Sequence, residues 1–166
     1  PAEEGGAAPA AVLAEPERRA LAALCARLVP SDDGEAGATE AGVVEYIERQ
    51  LRTRQIGTFL GEIRAGLREL DRLAGAHGAA DFAALPAAAQ DELLRRWSRP
   101  AGAASAGRPR GRAVDGKRFR LLALPLTLEG FLGDPVYGGN RDRVGWRFLG
   151  FAPRPPQPRR PWQGRG

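Results

Sequence analysis

Apolar residues recur at helical spacing along most of this chain, and this periodicity limits its fold more than any other feature. The first run follows Pro16, a residue suited to the first turn of a helix because the N–H that it lacks would be unsatisfied there. The run ends before Pro30. Its apolar stripe consists of Leu21, Leu24, Cys25, Leu28 and Val29. The spacing predicts a helix over residues 16–29.

Three further segments repeat the helical pattern. Thr39 is expected to cap the second helix, Gly75 to end the third, and Pro86 to start the fourth. A short turn is predicted at Asp81-Phe82, between the third and the fourth. The residues predicted to share one face are Val43, Tyr46, Ile47, Gln50 and Leu51 in the second helix, Phe59, Ile63, Leu67, Leu70 and Leu73 in the third, and Ala89, Leu93 and Trp97 in the fourth.

The fifth segment, from Phe119 to Leu132, is the most apolar part of the chain. Pro125 lies inside it and is expected to kink or restart the helix, because proline removes a backbone donor and crowds the preceding turn. No segment alternates like a strand, and the apolar content depends on alanine more than on isoleucine or the aromatic residues. The chain is therefore predicted to be all-α, a single bundle of about five helices with a C-terminal motif loop and an extended tail.

The predicted organisation is one domain, as expected for 166 residues. Residues 1–15 are interpreted as a flexible leader and residues 16–151 as the helical domain. Within that domain residues 98–116, rich in Gly, Ala, Arg and Pro, are interpreted as a basic loop. Residues 152–166 form an Arg/Pro-rich tail.

Charge is distributed unevenly along the chain. Residues 1–100 contain 12 basic and 16 acidic side chains, a net charge of −4, whereas residues 101–166 contain 13 and 4, a net charge of +9. A solvated basic tail accounts for this asymmetry. The alternative is a small basic nucleic-acid-binding helical protein, in which aromatic residues between the arginines would stack on bases. The aromatic residues in question are Trp146, Phe148, Phe151 and Trp162.

Residues for catalysis and metal binding are few. His77 is the only histidine and Cys25 the only cysteine, which excludes a zinc site built from His and Cys and any catalytic pair of histidines. The carboxylate pairs Glu129 with Asp134 and Asp71 with Asp81 are interpreted as helix caps and surface ion-pair partners. Cys25 is expected to be buried in the first helix, with a disulfide to another chain as the alternative. We therefore predict no catalytic, metal or cofactor site in this chain.

The sequence GDPVYGGNRDRVGWRFLGF, residues 133–151, is named the motif loop here. Asp134-Pro135 favours turn initiation, Gly138-Gly139 permit positive φ, and Asn140 tolerates a left-handed conformation while bonding to nearby backbone. Arg141 and Asp142 could form an ion pair or contact a partner. Tyr137 and Trp146 each combine a large apolar area with one polar atom, as interface residues do. The loop therefore either clamps its own bundle or contacts another protein.

Two stretches, TLEGFLGDPVYGGNRDRVGWRFLGF at residues 127–151 and LVPSDDGEAGATEAGVVEYIERQL at residues 28–51, resemble the gluconate 2-dehydrogenase subunit 3 family. The family consists of small subunits of bacterial membrane-associated, FAD-dependent sugar and polyol dehydrogenases. The resemblance implies a non-catalytic accessory subunit that binds a large FAD-bearing catalytic subunit of the glucose-methanol-choline oxidoreductase type, with FAD in that partner alone. It also implies a periplasmic location, membrane association only through the complex, and no nucleic-acid partner.

Members of this family typically carry a twin-arginine export signal, which is absent here and is expected to have been removed. A multihaem cytochrome c subunit often completes their complex. The resemblance implies that matching motif positions order a partner-facing loop. The sequence departs from the family pattern at Leu132, where a second Phe is usual, and in the GFAPRPP ending and the longer basic insert. The matching positions are Thr127, Leu128, Glu129, Gly130, Phe131, Asp134, Pro135, Tyr137, Gly138, Gly139, Asn140, Arg141, Gly145 and Trp146, and Asp142 is added as a candidate.

Overall fold

A computed structural model of the protein describes residues 11–99 and 114–153. These residues form six α-helices and no strand, so the prediction of an all-α bundle is confirmed. Five of the helices match the five predicted segments, and the sixth is a short helix inside the motif loop. The helices are α1 (Glu15–Leu28), α2 (Val43–Leu51), α3 (Leu60–Gly75), α4 (Ala87–Trp97), α5 (Gly116–Leu132) and α6 (Val144–Phe148).

A single hydrophobic core lies between the long helices. α5 packs against α2 and α3, and α1 packs against α3, α2 and the short 3-10 turn at Phe82–Ala84. The predicted apolar stripes supply most of this core, as the spacing required. Core residues with almost no exposed surface include Leu21, Leu24, Cys25, Val43, Ile47, Ile63, Leu67, Leu70 and Phe119.

Local signals set the helix boundaries, and two predicted signals behave differently from expectation. Thr39 does not cap the second helix. Residues 37–42 instead form a tight turn in which Gly42 N–H donates to the carbonyl of Thr39 (3.1 Å), and Gly42 is left-handed (φ +69°). α5 starts at Gly116, earlier than its apolar pattern, because the Asp115 carboxylate accepts from Lys117 N–H (2.9 Å).

Of the two effects predicted for Pro125, a kink or a restart of the helix, the restart does not occur. α5 runs from Gly116 to Leu132 as one element that contains it. The interruption is tolerated because the backbone carbonyl that loses its donor belongs to Leu121, whose residue is 60% exposed, so water can replace the missing bond.

The other start and stop signals are confirmed. α3 ends at Gly75, and α4 begins directly after Pro86. The Asp81 carboxylate accepts from Ala84 N–H (2.8 Å) and closes the predicted turn. Of the predicted domain boundaries, residues 1–10, 100–113 and 154–166 lie outside the described residues, so the leader, the basic loop and the tail stay predictions.

Cys25 lies in the core between α1 and α5. Its sulfur is 3.5 Å from the Thr127 hydroxyl, and the residue is 1% exposed. Burial raises the pKa of the thiol from about 9 to about 11, although the Thr127 hydroxyl opposes the shift. The thiolate is the reactive form of cysteine, so the Cys25 thiol is expected to have low reactivity in the folded protein.

This environment predicts slow reaction of Cys25 with thiol reagents. A rise in pKa from about 9 to about 11 lowers the thiolate fraction near neutral pH by about 100-fold, before steric protection is counted. Labelling by an aromatic disulfide reagent at pH 8 should therefore follow unfolding, and should be complete within minutes in denaturant. The Cys25→Ser variant, which has no thiol, is the control for background signal. Rapid stoichiometric labelling of the folded protein would contradict the buried position.

Candidate functional site

Helix α5 is apolar on two opposite faces. Its inner face packs into the core through Phe119, Ala123, Leu126 and Phe131. Its outer face consists of Leu121, Pro125 and Leu128, spaced by four and three residues. Leu121 is 60% exposed and Leu128 is 40% exposed. A helix that is apolar nearly all round is normally covered on both sides. The outer face is therefore an exposed apolar surface outside the core.

Asn140 fastens the motif loop to the C-terminal end of α5. The side chain has no exposed surface, and its Nδ2 donates to the carbonyl of Gly133 (2.8 Å). Its Oδ1 accepts from Gly145 N–H (2.9 Å), and its own N–H donates to the carbonyl of Gly130 (2.6 Å). The backbone is left-handed (φ +46°). Both predictions for this residue, the conformation and the local bonding, are confirmed.

Glycines allow the loop to approach α5 closely. A Cβ on Gly139 would lie 2.2 Å from the Gly130 carbonyl oxygen, and a Cβ on Gly145 would lie 2.0 Å from that of Phe131. Gly138 has the predicted positive φ (+95°), whereas Gly139 does not. Gly139 is therefore needed for backbone contact rather than for its conformational freedom.

The two predicted aromatic anchors differ in their surroundings. Trp146 is half-buried, and its Nε1 donates to the carbonyl of Leu132 (2.8 Å) while its ring meets the edge of Phe151. Tyr137 is 61% exposed, beside the exposed Val136. The polar atom of Trp146 is thus used within the chain, whereas Tyr137 faces solvent.

Three further motif residues, Asp134, Glu129 and Phe131, make contacts within the chain. Asp134 accepts from Val136 N–H (3.0 Å), which confirms the predicted turn. Glu129 is exposed and accepts from the Tyr46 hydroxyl (3.2 Å). Burial, together with the Glu129 charge, raises the pKa of Tyr46 to about 12. Phe131 is buried and lies edge-on to the ring of Phe148, with 6.2 Å between centroids.

Arg141 and Asp142 do not pair with each other in the described structure. The Arg141 guanidinium lies over Gly42 and 3.9 Å from the Glu45 carboxylate. The backbone N–H of Arg141 donates to the carbonyl of Ala41 (3.0 Å). Asp142 is exposed, and its backbone carbonyl accepts from the Arg147 guanidinium. Arg141 therefore joins the loop to the start of α2 instead of closing a pair inside the loop.

Sequence reasoning missed two parts of this surface. Arg49 lies against the loop, so close that a Cβ on Gly138 would be 2.5 Å from its Cζ. Phe148 at the end of α6 and Leu149 directly after it are each 59% exposed. They lie beside the outer face of α5 and were not connected with it. The composition of α5 could have indicated an exposed apolar surface, because this helix has more apolar residues than one buried face needs.

Within residues 11–99 and 114–153, no three His, Cys, Asp or Glu side chains are grouped as a metal site would require. None of the helices in these ranges is both long enough and apolar enough to span a bilayer.

These features define a class: a small all-helical protein with a closed core, a loop clamped to one helix, and an apolar surface outside the core. The family model for gluconate 2-dehydrogenase subunit 3 matches residues 15–153. The chain belongs to this family, and the resemblance noted in the sequence is confirmed. The family name implies a place in a dehydrogenase complex with other subunits, which is consistent with an accessory role. No curated protein and no solved structure matches the chain.

Proposed function

We propose that this protein is the non-catalytic accessory subunit of an FAD-dependent dehydrogenase complex, and that it binds the catalytic subunit through its outer apolar surface. The observation that carries the proposal is the outer face of α5, where Leu121 and Leu128 are exposed on a helix whose opposite side is already buried. Burial of these leucines against a partner would contribute roughly 1.5–3 kcal/mol each.

Membership of the family indicates the kind of partner in this proposal. A subunit of a gluconate-type dehydrogenase complex would bind a large flavoprotein of the glucose-methanol-choline type, which would hold the FAD and oxidise the sugar or polyol. The accessory subunit would stabilise that flavoprotein and accompany it to the periplasm, where a multihaem cytochrome c subunit would complete the complex.

The first test is co-purification from the native host. The tagged full chain is captured at high salt, and the visible spectrum and mass of any bound protein are recorded. A flavin spectrum with a protein several times larger than 17.7 kDa is the expected result. A chain recovered alone would contradict the proposal. Release of nucleic acid as salt rises would instead favour the basic nucleic-acid-binding alternative.

A pair of variants tests whether the outer face of α5 forms the contact. Leu121→Gln/Leu128→Gln keeps good helix formers and is expected to lower the amount of co-purified flavoprotein at least about tenfold, since two buried leucines would be lost. Ala22→Gln/Ala88→Gln, which places the same side chains at two exposed positions on α1 and α4, is the matched control and should bind normally. Unchanged recovery with the double variant would exclude this face as the contact.

A further inference from the structure

A groove beside the outer face of α5 has an apolar floor and one acidic edge. Its volume is about 480 Å³. Residues at the C-terminal end of α1 form one side of this floor, and residues at the end of α6 form the other side. Leu128 belongs both to the groove and to the outer face of α5, so the two surfaces are continuous. The floor is formed mainly by Leu28, Val29, Leu128, Leu132, Phe148 and Leu149.

The acidic edge consists of Asp32, Asp33 and Glu35, named the acidic rim here. These residues are exposed on a tight turn in which Asp32 N–H donates to the carbonyl of Glu35 (3.1 Å) and Glu35 N–H donates back to the carbonyl of Asp32. The carboxylates of the rim make no ion pair with any described residue.

The rim differs in this respect from carboxylates on the helices. Glu48 pairs with Arg18, and Asp91 pairs with Arg27. Arginine is abundant in this chain, yet no described arginine lies within ion-pair distance of the rim. The rim therefore presents negative charge that is available to a cation outside the described residues.

We infer that the groove binds an apolar segment of the catalytic subunit that carries Arg or Lys at the end facing the acidic rim. This inference rests on the proposed function and specifies which surface and which partner chemistry it uses. Apolar side chains of the segment fill the floor and bury Phe148 and Leu149. Its cations meet Asp33 and Glu35, which steer association and fix the direction in which the segment lies. Anionic lipid or nucleic acid would be repelled at this edge.

The charge of the rim is tested by displacement from the intact complex. Labelled wild-type chain, bound to the flavoprotein recovered by co-purification, is displaced by unlabelled variants at low and high salt. Asp33→Asn/Glu35→Gln is expected to displace it about tenfold less effectively at low salt, and the deficit should shrink at high salt as screening removes the attraction. Glu15→Gln/Glu92→Gln removes the same charge from exposed sites outside the groove and should compete like wild type.

The apolar floor is tested in the same assay with Leu149→Ser. This variant is expected to lose about tenfold in displacement at both salt concentrations, because the interaction with the floor does not depend on charge. Leu149 is 59% exposed, so the isolated variant should keep its stability, which thermal unfolding checks. Ala22→Ser, at an exposed position on α1 outside both the groove and the motif loop, is the control.

The outcomes separate this inference from the proposed function. If wild type binds the flavoprotein and the groove variants compete equally well, the inference is overturned and the accessory role stands. If the isolated chain dimerises and the groove variants abolish the dimer, a second copy is the occupant and the inference is wrong. The inference is also wrong if these substitutions destabilise the full chain but not a chain ending at Pro153, since the occupant would then be residues 154–166.

Discussion

Replacing Asn140 by alanine is expected to lower the free energy of unfolding by about 4 kcal/mol. The substitution removes both side-chain bonds, so the buried Gly145 N–H and the half-buried Gly133 carbonyl lose their partner. An unpaired buried group costs about 1–3 kcal/mol. Alanine must also adopt the left-handed conformation (φ +46°), which costs roughly 1–2 kcal/mol. Urea unfolding followed by circular dichroism measures the change.

Two further substitutions separate these contributions. Asn140→Gly loses the side-chain bonds but accepts the left-handed backbone, so it should be roughly 1 kcal/mol less destabilising than alanine. Asn140→Asp keeps an acceptor for the Gly145 N–H, but its ionised carboxylate cannot donate to the Gly133 carbonyl, whereas the neutral carboxyl can do so through its O–H. It should therefore fall between wild type and alanine near pH 4, where the carboxyl is partly neutral. An alanine variant within about 1 kcal/mol of wild type would show that the side chain does not hold the loop.

Gly145→Ala has the second largest expected effect, a loss of about 3 kcal/mol. The new Cβ would lie 2.0 Å from the Phe131 carbonyl oxygen. This neighbour is backbone within α5 and cannot rotate away as a side chain could, so the loop has to shift. The shift also lengthens the bond from Gly145 N–H to Asn140. The measured quantity is the midpoint of thermal unfolding, which should fall by about 6–12 °C for a chain of this size.

Gly61→Ala is the control for a glycine that is not needed for close packing. Gly61 lies near the start of α3, and a Cβ there would meet nothing within 4 Å. Alanine is the better helix former, so the variant should be more stable by roughly 0.5–1 kcal/mol. A fall in stability of similar size for both variants would mean that contact with Phe131 is not the cause.

The sequence was sufficient to predict five of the six described helices, because each of these five buries a continuous apolar stripe. Leu21 and Leu24 in α1, and Leu67 and Leu70 in α3, lie in the core as their spacing indicated. The exceptions are local. The turn before α2 is closed by backbone bonds, which leave no periodic signal, and the effect of Pro125 depends on which side of the helix meets solvent.

The inward and outward residues of the motif loop could not be distinguished from sequence. Asn140 reaches Gly130 and Gly133, seven to ten positions earlier, and these contacts exist only after α5 and the loop have folded together. Trp146 and Tyr137 have similar chemistry in the sequence. Within the described residues, however, the Trp146 indole N–H makes a hydrogen bond and the Tyr137 hydroxyl does not. The outer face of α5 could not be recognised from the sequence for a related reason, because leucines in a core and leucines on an exposed face have the same chemistry.

The attachment of α6 has a consequence for motion. A few bonds centred on Asn140 join the loop to α5, while most of the buried side chains lie elsewhere in the bundle. Loss of these bonds would release the loop and α6 as one cooperative unit while the other helices stay folded. This unit supplies Phe148 and Leu149 to the groove. A bound partner would then raise the free energy of that partial opening by mass action, making the last helix the part of the chain whose order depends most on assembly.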